Sequence, residues 1–295
     1  MAEHNISRPR LACEITSERV VAARAPEGAG AIEAALATPL PEGALLPGLQ
    51  QANVVGREAL VKALREVLSA VASRNRDVCL IIPDATTRVM LLDFDTLPQK
   101  PEEADAVVRF RLKKSLPFDV EDSAVSFDTQ GTTDPLRLVA AVTPRAVLQE
   151  YESLVRDAGY NPGAVLPSMI AALGVVDGSR PTMVIKVERG TTTFAIVDQN
   201  QLLLYRALDN GGSAVTGESL VEDVNTSLVY FEDRYTVGVD RVLVTGVQSA
   251  QVLQDALNAS SPIQVEELVS SSMAGATAGK VPRSALAGVA GALVS

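Results

Sequence analysis

Both halves of the chain open in the same way, with a short β-capable run, a tight connection and a second such run. In the first half Leu11-Ala12-Cys13-Glu14-Ile15 is followed closely by Arg19-Val20-Val21-Ala22-Ala23-Arg24. In the second, Met183-Val184-Ile185-Lys186-Val187 is followed by Thr192-Thr193-Phe194-Ala195-Ile196-Val197. Runs this close read as hairpins, and each hairpin leads into a helix and further strands. The repetition lies in architecture, not in letters. It puts the chain in the α/β class, with two related units.

The remaining elements follow from periodicity and breakers. Residues 26–53 carry Pro26, Gly28, Gly30, Pro39, Pro41, Gly43, Pro47 and Gly48, a density that predicts an irregular surface loop. Leu60, Leu64, Val67, Leu68 and Val71 recur at helical spacing between Gly56 and Ser73. Val78 to Ile82 reads as a buried strand stopped by Pro83-Asp84, and Arg88 to Phe94 as another. Pro101-Glu102-Glu103 opens a helix in the expected manner, with proline in the first turn and acids at its positive end. That helix is predicted to run to Leu116, where Pro117 stops it. Strands over 124–129 and 136–142 pair around the Gly131–Pro135 turn, and a helix runs from Pro144 to Gly159. Residues 174–181 mark the boundary between the halves. Beyond it the second hairpin turns at Asp198–Gln201 into a strand over 202–208. Helices over 214–235, 250–257 and 284–293 and strands over 242–244 and 263–265 complete the chain.

Composition removes several classes of function. With 26 Lys+Arg against 36 Asp+Glu, the net charge of −10 argues against a general nucleic-acid binder. Two cysteines cannot form a disulfide framework and fit a reducing compartment; Cys13 and Cys79 lie in apolar runs and are read as core residues. The one histidine, His4, lies in a polar N-terminal stretch, which leaves no oriented base for a Ser-His-Asp or Cys-His set and no zinc cluster. No stretch approaches the length of a membrane span, and the N-terminus lacks the apolar segment of a signal peptide.

The segment Leu80-Ile81-Ile82-Pro83, then Arg88 to Leu97-Pro98, then a helix ending in Leu116-Pro117-Phe118 with Val120-Glu121-Asp122 and Phe127-Asp128, resembles the PilM family of type IV pilus assembly proteins. Leu138 to Gly159 continues the likeness, Asn210-Gly211-Gly212 through Thr216 looks like the family's phosphate-proximal turn, and Val242 to Gly246 like the strand leading to its adenosine loop. The small-residue segment Ala287 to Leu293 is similar to its closing helix. The resemblance implies an α/β, actin-like ATPase (ribonuclease H-like) two-domain fold. Domain I would span 1–178 with an inserted partner-binding subdomain, domain II 179–282, and 283–295 a terminal helix returning to the domain interface.

The departures from that pattern bear on function. Where the family has Asp-x-Gly-Ser before a lysine-bearing strand, this chain has Ala12, Glu14 and Ile15, with Arg19 at the lysine. Aspartate there would hold hydrated Mg²⁺, and glycine would let backbone N–H groups reach phosphate. Alanine holds no metal, and Glu14 would aim negative charge at a polyphosphate. The second hairpin reads Glu188-Arg189-Gly190, and the adenosine loop reads Gly246-Val247 where a glycine pair is expected. Only about 25 residues lie between Thr216 and Arg241, so the subdomain that covers adenine in the family is predicted to be missing. The nucleotide-binding set Gly190, Gly211, Gly212 and Gly246 is accordingly read as vestigial.

Bland readings stand beside these. The sharper reading of Glu188 and Asp198 is a pair of metal or base carboxylates in a retained pocket; the bland one makes Glu188 a hairpin residue and Asp198 a turn residue. The glycine pair at 211–212 fits a tight turn before a helix as well as a phosphate cradle. Arg109, Arg111, Lys113 and Lys114 read as a solvated basic face at a helix C-terminus, with contact to anionic lipid or an acidic partner as the sharper alternative. By resemblance, the inserted subdomain helps form a groove for the cytoplasmic tail of PilN, an inner-membrane partner, near Arg88, Arg109, Phe110, Leu116, Phe118 and Phe127. The expected function is a non-catalytic cytoplasmic adaptor at the inner-membrane face, without metal or cofactor, binding a PilN-like tail and other platform proteins. The alternative is an ATP-binding or weakly hydrolysing protein with a modified Mg·ATP site. A GspL-like type II secretion domain shares the fold, and that reading expects a membrane span beyond residue 295.

Overall fold

The computed structural model describes residues 10–26, 32–50, 52–72, 74–131, 135–211, 217–247, 249–257, 263–275 and 280–294. His4, Gly212 and Thr216 lie outside the described residues.

Each half is built on a five-stranded sheet with one and the same order and sense. In the first, β1 (Leu11–Ile15) pairs antiparallel with β2 (Arg19–Arg24), which pairs antiparallel with β3 (Ala34–Pro39). On its other side β1 runs parallel to β4 (Asp77–Ile82), and β4 parallel to β8 (Asn161–Pro167). In the second, β9 (Thr182–Glu188), β10 (Thr191–Asp198) and β11 (Gln201–Asp209) form the antiparallel part, and β12 (Arg241–Thr245) and β13 (Gln264–Glu267) the parallel part. Both hairpins and all the strands expected from the letters are present.

Two strands are corrections. Residues 34–39 form the edge strand β3 within the span expected to be an irregular loop. Its half-buried Ala-Ala-Leu-Ala-Thr run carries little apolar signal, and Pro39 sits at the strand's end, where a missing N–H is tolerated. The edge strand β8 escaped notice because Pro162 and Gly163 break its pattern; the ladder absorbs them with a register shift between Val78 and Cys79.

Helices cover the outer faces. Leu60, Leu64 and Leu68 of α1 (Arg57–Val71) and Tyr151, Leu154 and Val155 of α3 (Arg145–Asp157) share a core with Cys13, Ile15 and Leu80. Leu220, Val224 and Phe231 of α5 (Gly217–Tyr235) and Leu253 and Leu257 of α6 (Ala250–Leu257) do the same for Ile185, Phe194 and Val244. Between β11 and β12 the described residues hold α5 alone, in keeping with the predicted loss of a further subdomain.

The inner faces of the sheets meet through one core. Ala12, Cys79 and Ile81 from the first half, Val184, Ala195 and Leu243 from the second, and Val289 and Ala290 of α8 (Ala287–Val294) belong to it. The helix α8 starts three residues later than expected, after a 3-10 turn over Arg283–Ala285, and lies on β1 and on α4 (Ser168–Ala172). Glycine permits that approach. A Cβ on Gly291 would stand 1.9 Å from the Ala171 carbonyl oxygen, and one on Gly288 2.6 Å from the Glu14 carboxylate. Both cysteines are buried, and burial pushes the Cys13 thiol well above its ordinary range, as befits a core residue.

A three-stranded antiparallel sheet is inserted after β4. It comprises β5 (Arg88–Phe94), β7 (Leu136–Pro144) and β6 (Ser123–Thr129), with β7 central, packed on α2 (Pro101–Leu112). The helix α2 ends at Leu112, four residues short of expectation, because Lys113–Ser115 form a turn that brings Leu116 back onto the subdomain core. Although its chain enters and leaves through the first half, this sheet rests on the second. Gln130 Nε2 donates to the Leu202 carbonyl at 2.9 Å and its Oε1 accepts from the Leu202 N–H. The Arg137 guanidinium lies 5.6 Å from the Tyr235 ring centre.

Candidate functional site

The sheets face each other across a cleft, and its inner end is filled by a cluster of buried charges. The alternation along β1 turns Leu11, Cys13 and Ile15 to the outer core and Ala12 and Glu14 inward. Along β9 it turns Val184 and Lys186 inward. Glu14 and Lys186 are 3% and 5% exposed, and Lys186 Nζ lies 3.1 Å from Glu14 Oε1. The same ammonium pairs with Glu188 Oε1, and Ser168 Oγ donates to Glu14. Asp84, in the 3-10 turn after Pro83, is 1% exposed. Its Oδ1 accepts from the Met169 N–H at 2.9 Å and the Tyr205 hydroxyl at 3.1 Å, and its Oδ2 from Thr193 Oγ1 at 3.0 Å.

Three carboxylates around one ammonium leave excess negative charge in a dry site, and the protonation energetics follow. Burial pushes the carboxyl of Asp84 above its ordinary range; the Lys186 charge and the hydrogen bonds from Met169, Thr193 and Tyr205 offset only part of this. Burial likewise raises Glu188; Lys186 opposes the shift while Asp84 and Glu14 add to it. Burial by itself would depress the Lys186 ammonium, but Glu14, Glu188 and Asp84 reverse that and hold it protonated above its ordinary value.

Outward from the cluster the cleft widens to about 670 Å³, lined by Leu45, Pro47, Arg88, Pro117, Gly190 and Leu208 among others. The loop forming one wall is anchored by Asn53 and Glu150. Asn53 Nδ2 donates to the Gly48 carbonyl at 3.0 Å, its Oδ1 accepts from the Gly48 N–H at 2.8 Å, and Glu150 Oε2 accepts from the Asn53 and Val54 N–H groups. Arg189, beside Gly190, pairs with Glu42 across the cleft mouth.

Of the glycines singled out as a nucleotide set, Gly190 and Gly211 come together. Both have positive φ (89° and 60°), and the N–H of Asn210 donates to the Gly190 carbonyl at 2.9 Å. Gly246, after β12, lies apart from them. Its φ is 81°, and a Cβ there would stand 1.8 Å from the Val187 carbonyl oxygen, so packing alone demands glycine.

The six residues proposed for a partner groove separate. Arg88 lines the cleft and is exposed. Leu116, Phe118 and Phe127 are half-buried against the subdomain's own core, leaving Pro117 between the first two to reach the cleft. Phe110 is 70% exposed on α2, with the Lys114 ammonium 5.6 Å from its ring centre. Arg109 does not fit the solvated-face reading. Its Nε donates to Asp105 Oδ2 at 2.7 Å and its Nη1 to the Val120 carbonyl at 2.9 Å, which ties α2 to the loop before β6.

Glu188 does stand in the β9–β10 hairpin, at the end of β9, and its largely buried side chain also belongs to the cluster, while Asp198 sits at the β10–β11 turn. Lys186 and Asp84 were not singled out at all. The signal available was a lysine inside an otherwise apolar strand, on the face that the alternation turns inward.

Two like sheets, each opening on a hairpin beside a shared cleft, with a small sheet inserted in the first half, define an actin-like ATPase fold. No protein-family model and no curated protein sequence matches the chain. Among solved structures it is similar to the PilM-PilN type IV pilus biogenesis complex, with a TM-score of 0.76 at 16% identity over 97% of this chain and 100% of that one. It is also similar to the cytoplasmic domain of EpsL, an inner membrane component of the type II secretion system of Vibrio cholerae (TM-score 0.52, 10% identity, 89% of this chain and 98% of that one). The ethanolamine utilization protein EutJ from Carboxydothermus hydrogenoformans matches at TM-score 0.52 and 12% identity, over 97% and 89%. At these identities the likeness is one of fold. Among the described residues no helix is long and apolar enough to cross a membrane.

Proposed function

We propose that the chain is a non-catalytic adaptor of a type IV pilus or related secretion platform, at the cytoplasmic face of the inner membrane, holding the tail of a PilN-like membrane partner in its cleft. The observation that carries the reading is the division of the cleft into a plugged inner end and an open outer part. At the inner end, where a nucleotide's phosphates and metal would need carboxylates and backbone N–H groups, Glu14 and Glu188 are occupied by the protein's own Lys186. A hydrated Mg²⁺ does not fit beside an ammonium within the same carboxylates, and Ala12 supplies no ligand. The outer part has the character of a peptide site: an apolar wall from Leu45, Leu46, Pro47 and Pro117, with Arg88 and Asp209 at its rim. What supports the partner is the fold likeness to a PilM-PilN complex.

The test is fluorescence anisotropy with a labelled peptide of a PilN-like tail, titrated with the full chain with and without Mg·ATP. Micromolar binding that is indifferent to nucleotide supports the adaptor. Binding that requires ATP sinks the non-catalytic part of the reading, and no binding in either condition sinks the partner.

A further inference from the structure

We propose that Lys186 is a tethered counter-ion that keeps the two halves of the chain closed on each other without any bound cation or phosphate. Several bonds of the cluster run from one half to the other, beside others that stay within a half. Glu14, on the first strand of the first sheet, meets Lys186, on the first strand of the second, at 3.1 Å. Asp84, at the end of β4, accepts from Thr193 on β10 and Tyr205 on β11. Glu14, Lys186, Asp84 and Thr193 are buried, so within the closed cluster water does not replace a lost partner. Glu14 from the first half and Glu188 from the second share the Lys186 ammonium, and without it the acidic groups of the two halves would meet with no cation to balance them. A free ion in that place would have to be captured from solution. An ammonium on a strand is always present, and closure then does not depend on ligand concentration.

The outer contacts have the same sense. The Gln130 amide bonds both backbone groups of Leu202, and Arg234 of α5 lies 3.9 Å from Asp93 of β5. The inserted sheet thus bridges from its own half to the other, beside the charged cluster. The inference stands on this geometry and is independent of what enters the outer cleft.

The experiment measures the distance between the halves in the full chain, by pulsed electron–electron resonance between spin labels at Glu66→Cys on α1 and Asp255→Cys on α6. Both positions are exposed, whereas the native cysteines are buried. The unmodified cluster is expected to give one narrow distribution that Mg·ATP does not move. Lys186→Ala is expected to broaden it toward longer distances, and millimolar methylammonium, but not Na⁺, to narrow it again. A narrow distribution in Lys186→Ala overturns the proposal, as does a broad one that methylammonium does not narrow. Should Lys186→Ala fail to fold, Lys186→Arg and Glu14→Gln take its place. The first keeps the cation and must stay narrow, the second removes one partner and must broaden; the reverse pattern overturns the counter-ion role.

Discussion

Glu14 and Lys186 occupy corresponding strands, the first of each five-stranded sheet, and meet at 3.1 Å where the two inner faces converge. One position earlier on each face stand Ala12 and Val184, which pack in the shared apolar core. A charge pair therefore continues an apolar contact, and its energetics are those of a buried ion pair. Removing one partner leaves the other charged in a dry site at a cost of about 3–5 kcal/mol, while removing both together costs much less.

This predicts a strong coupling. Lys186→Met is expected to lower stability by about 3–5 kcal/mol, and the Glu14→Gln/Lys186→Met pair by clearly less than the sum of the single changes. Because the chain has no tryptophan, urea unfolding followed by circular dichroism is the suitable measurement. Additive losses would mean that the two side chains do not act as a pair.

A pH dependence follows from the raised carboxyls of Asp84 and Glu188. Above the ordinary glutamic value of 4.5, and until the raised folded values are passed, the native chain binds more protons than the unfolded chain. The stability these groups contribute is thus present on the acid side and is lost as pH rises through their folded values, by at most about 1.4 kcal/mol per pH unit for each proton. The Lys186 contribution is full below 10.5 and is lost only above its raised folded value, outside this window. The stability difference between the native chain and Glu188→Gln should therefore fall between mildly acidic and neutral pH. A flat difference across that interval contradicts the direction given for Glu188.

The closing helix tests the packing around the cluster. Gly288→Ala puts a methyl group 2.6 Å from the Glu14 carboxylate, and Gly291→Ala puts one 1.9 Å from the Ala171 carbonyl oxygen, which cannot give way without moving α4. Each is expected to cost at least about 1–3 kcal/mol, Gly291→Ala the more. Calorimetric midpoints order the two, and a neutral Gly288→Ala would show that Glu14 is free to turn away.

Nucleotide gives the sharpest contrast between the two functional readings. A ligand at 100 times its dissociation constant stabilises the native state by about 2.7 kcal/mol. With the inner cleft plugged, millimolar Mg·ATP is expected to leave the thermal midpoint unchanged. A rise of several degrees, absent with phosphate alone, would require the phosphates to sit outside the cluster near Gly190 and Gly211.

For the outer cleft, Arg88→Ala is expected to weaken binding of a partner-tail peptide while leaving stability untouched, because Arg88 is exposed and makes no ion pair among the described residues. Phe118→Asp should weaken it through the fold, since Phe118 packs on the subdomain core, and the two are separated by measuring unfolding alongside affinity. Tail binding unchanged by Arg88→Ala removes that residue from the groove.

Much of this architecture was legible in the letters. Period-2 and period-3.6 patterns are local, so Val78–Ile82, the two hairpins and the α1 and α5 helices could be read directly. The strands β3 and β8 could not, because an edge strand tolerates proline, glycine and alanine, and its hydrogen bonds come from a neighbour remote in sequence. In the same way the sequence determined that Glu14 and Lys186 each lie inside a short β-capable run at the start of its half. That Lys186 reaches Glu14 from 172 residues away, that Asp84 takes hydrogen bonds from two strands of the other half, and that Arg109 serves its own subdomain were decided only by tertiary structure. A charge in a strand shows which face it lies on, but whether it meets water, a ligand or another side chain depends on what the rest of the chain places opposite it.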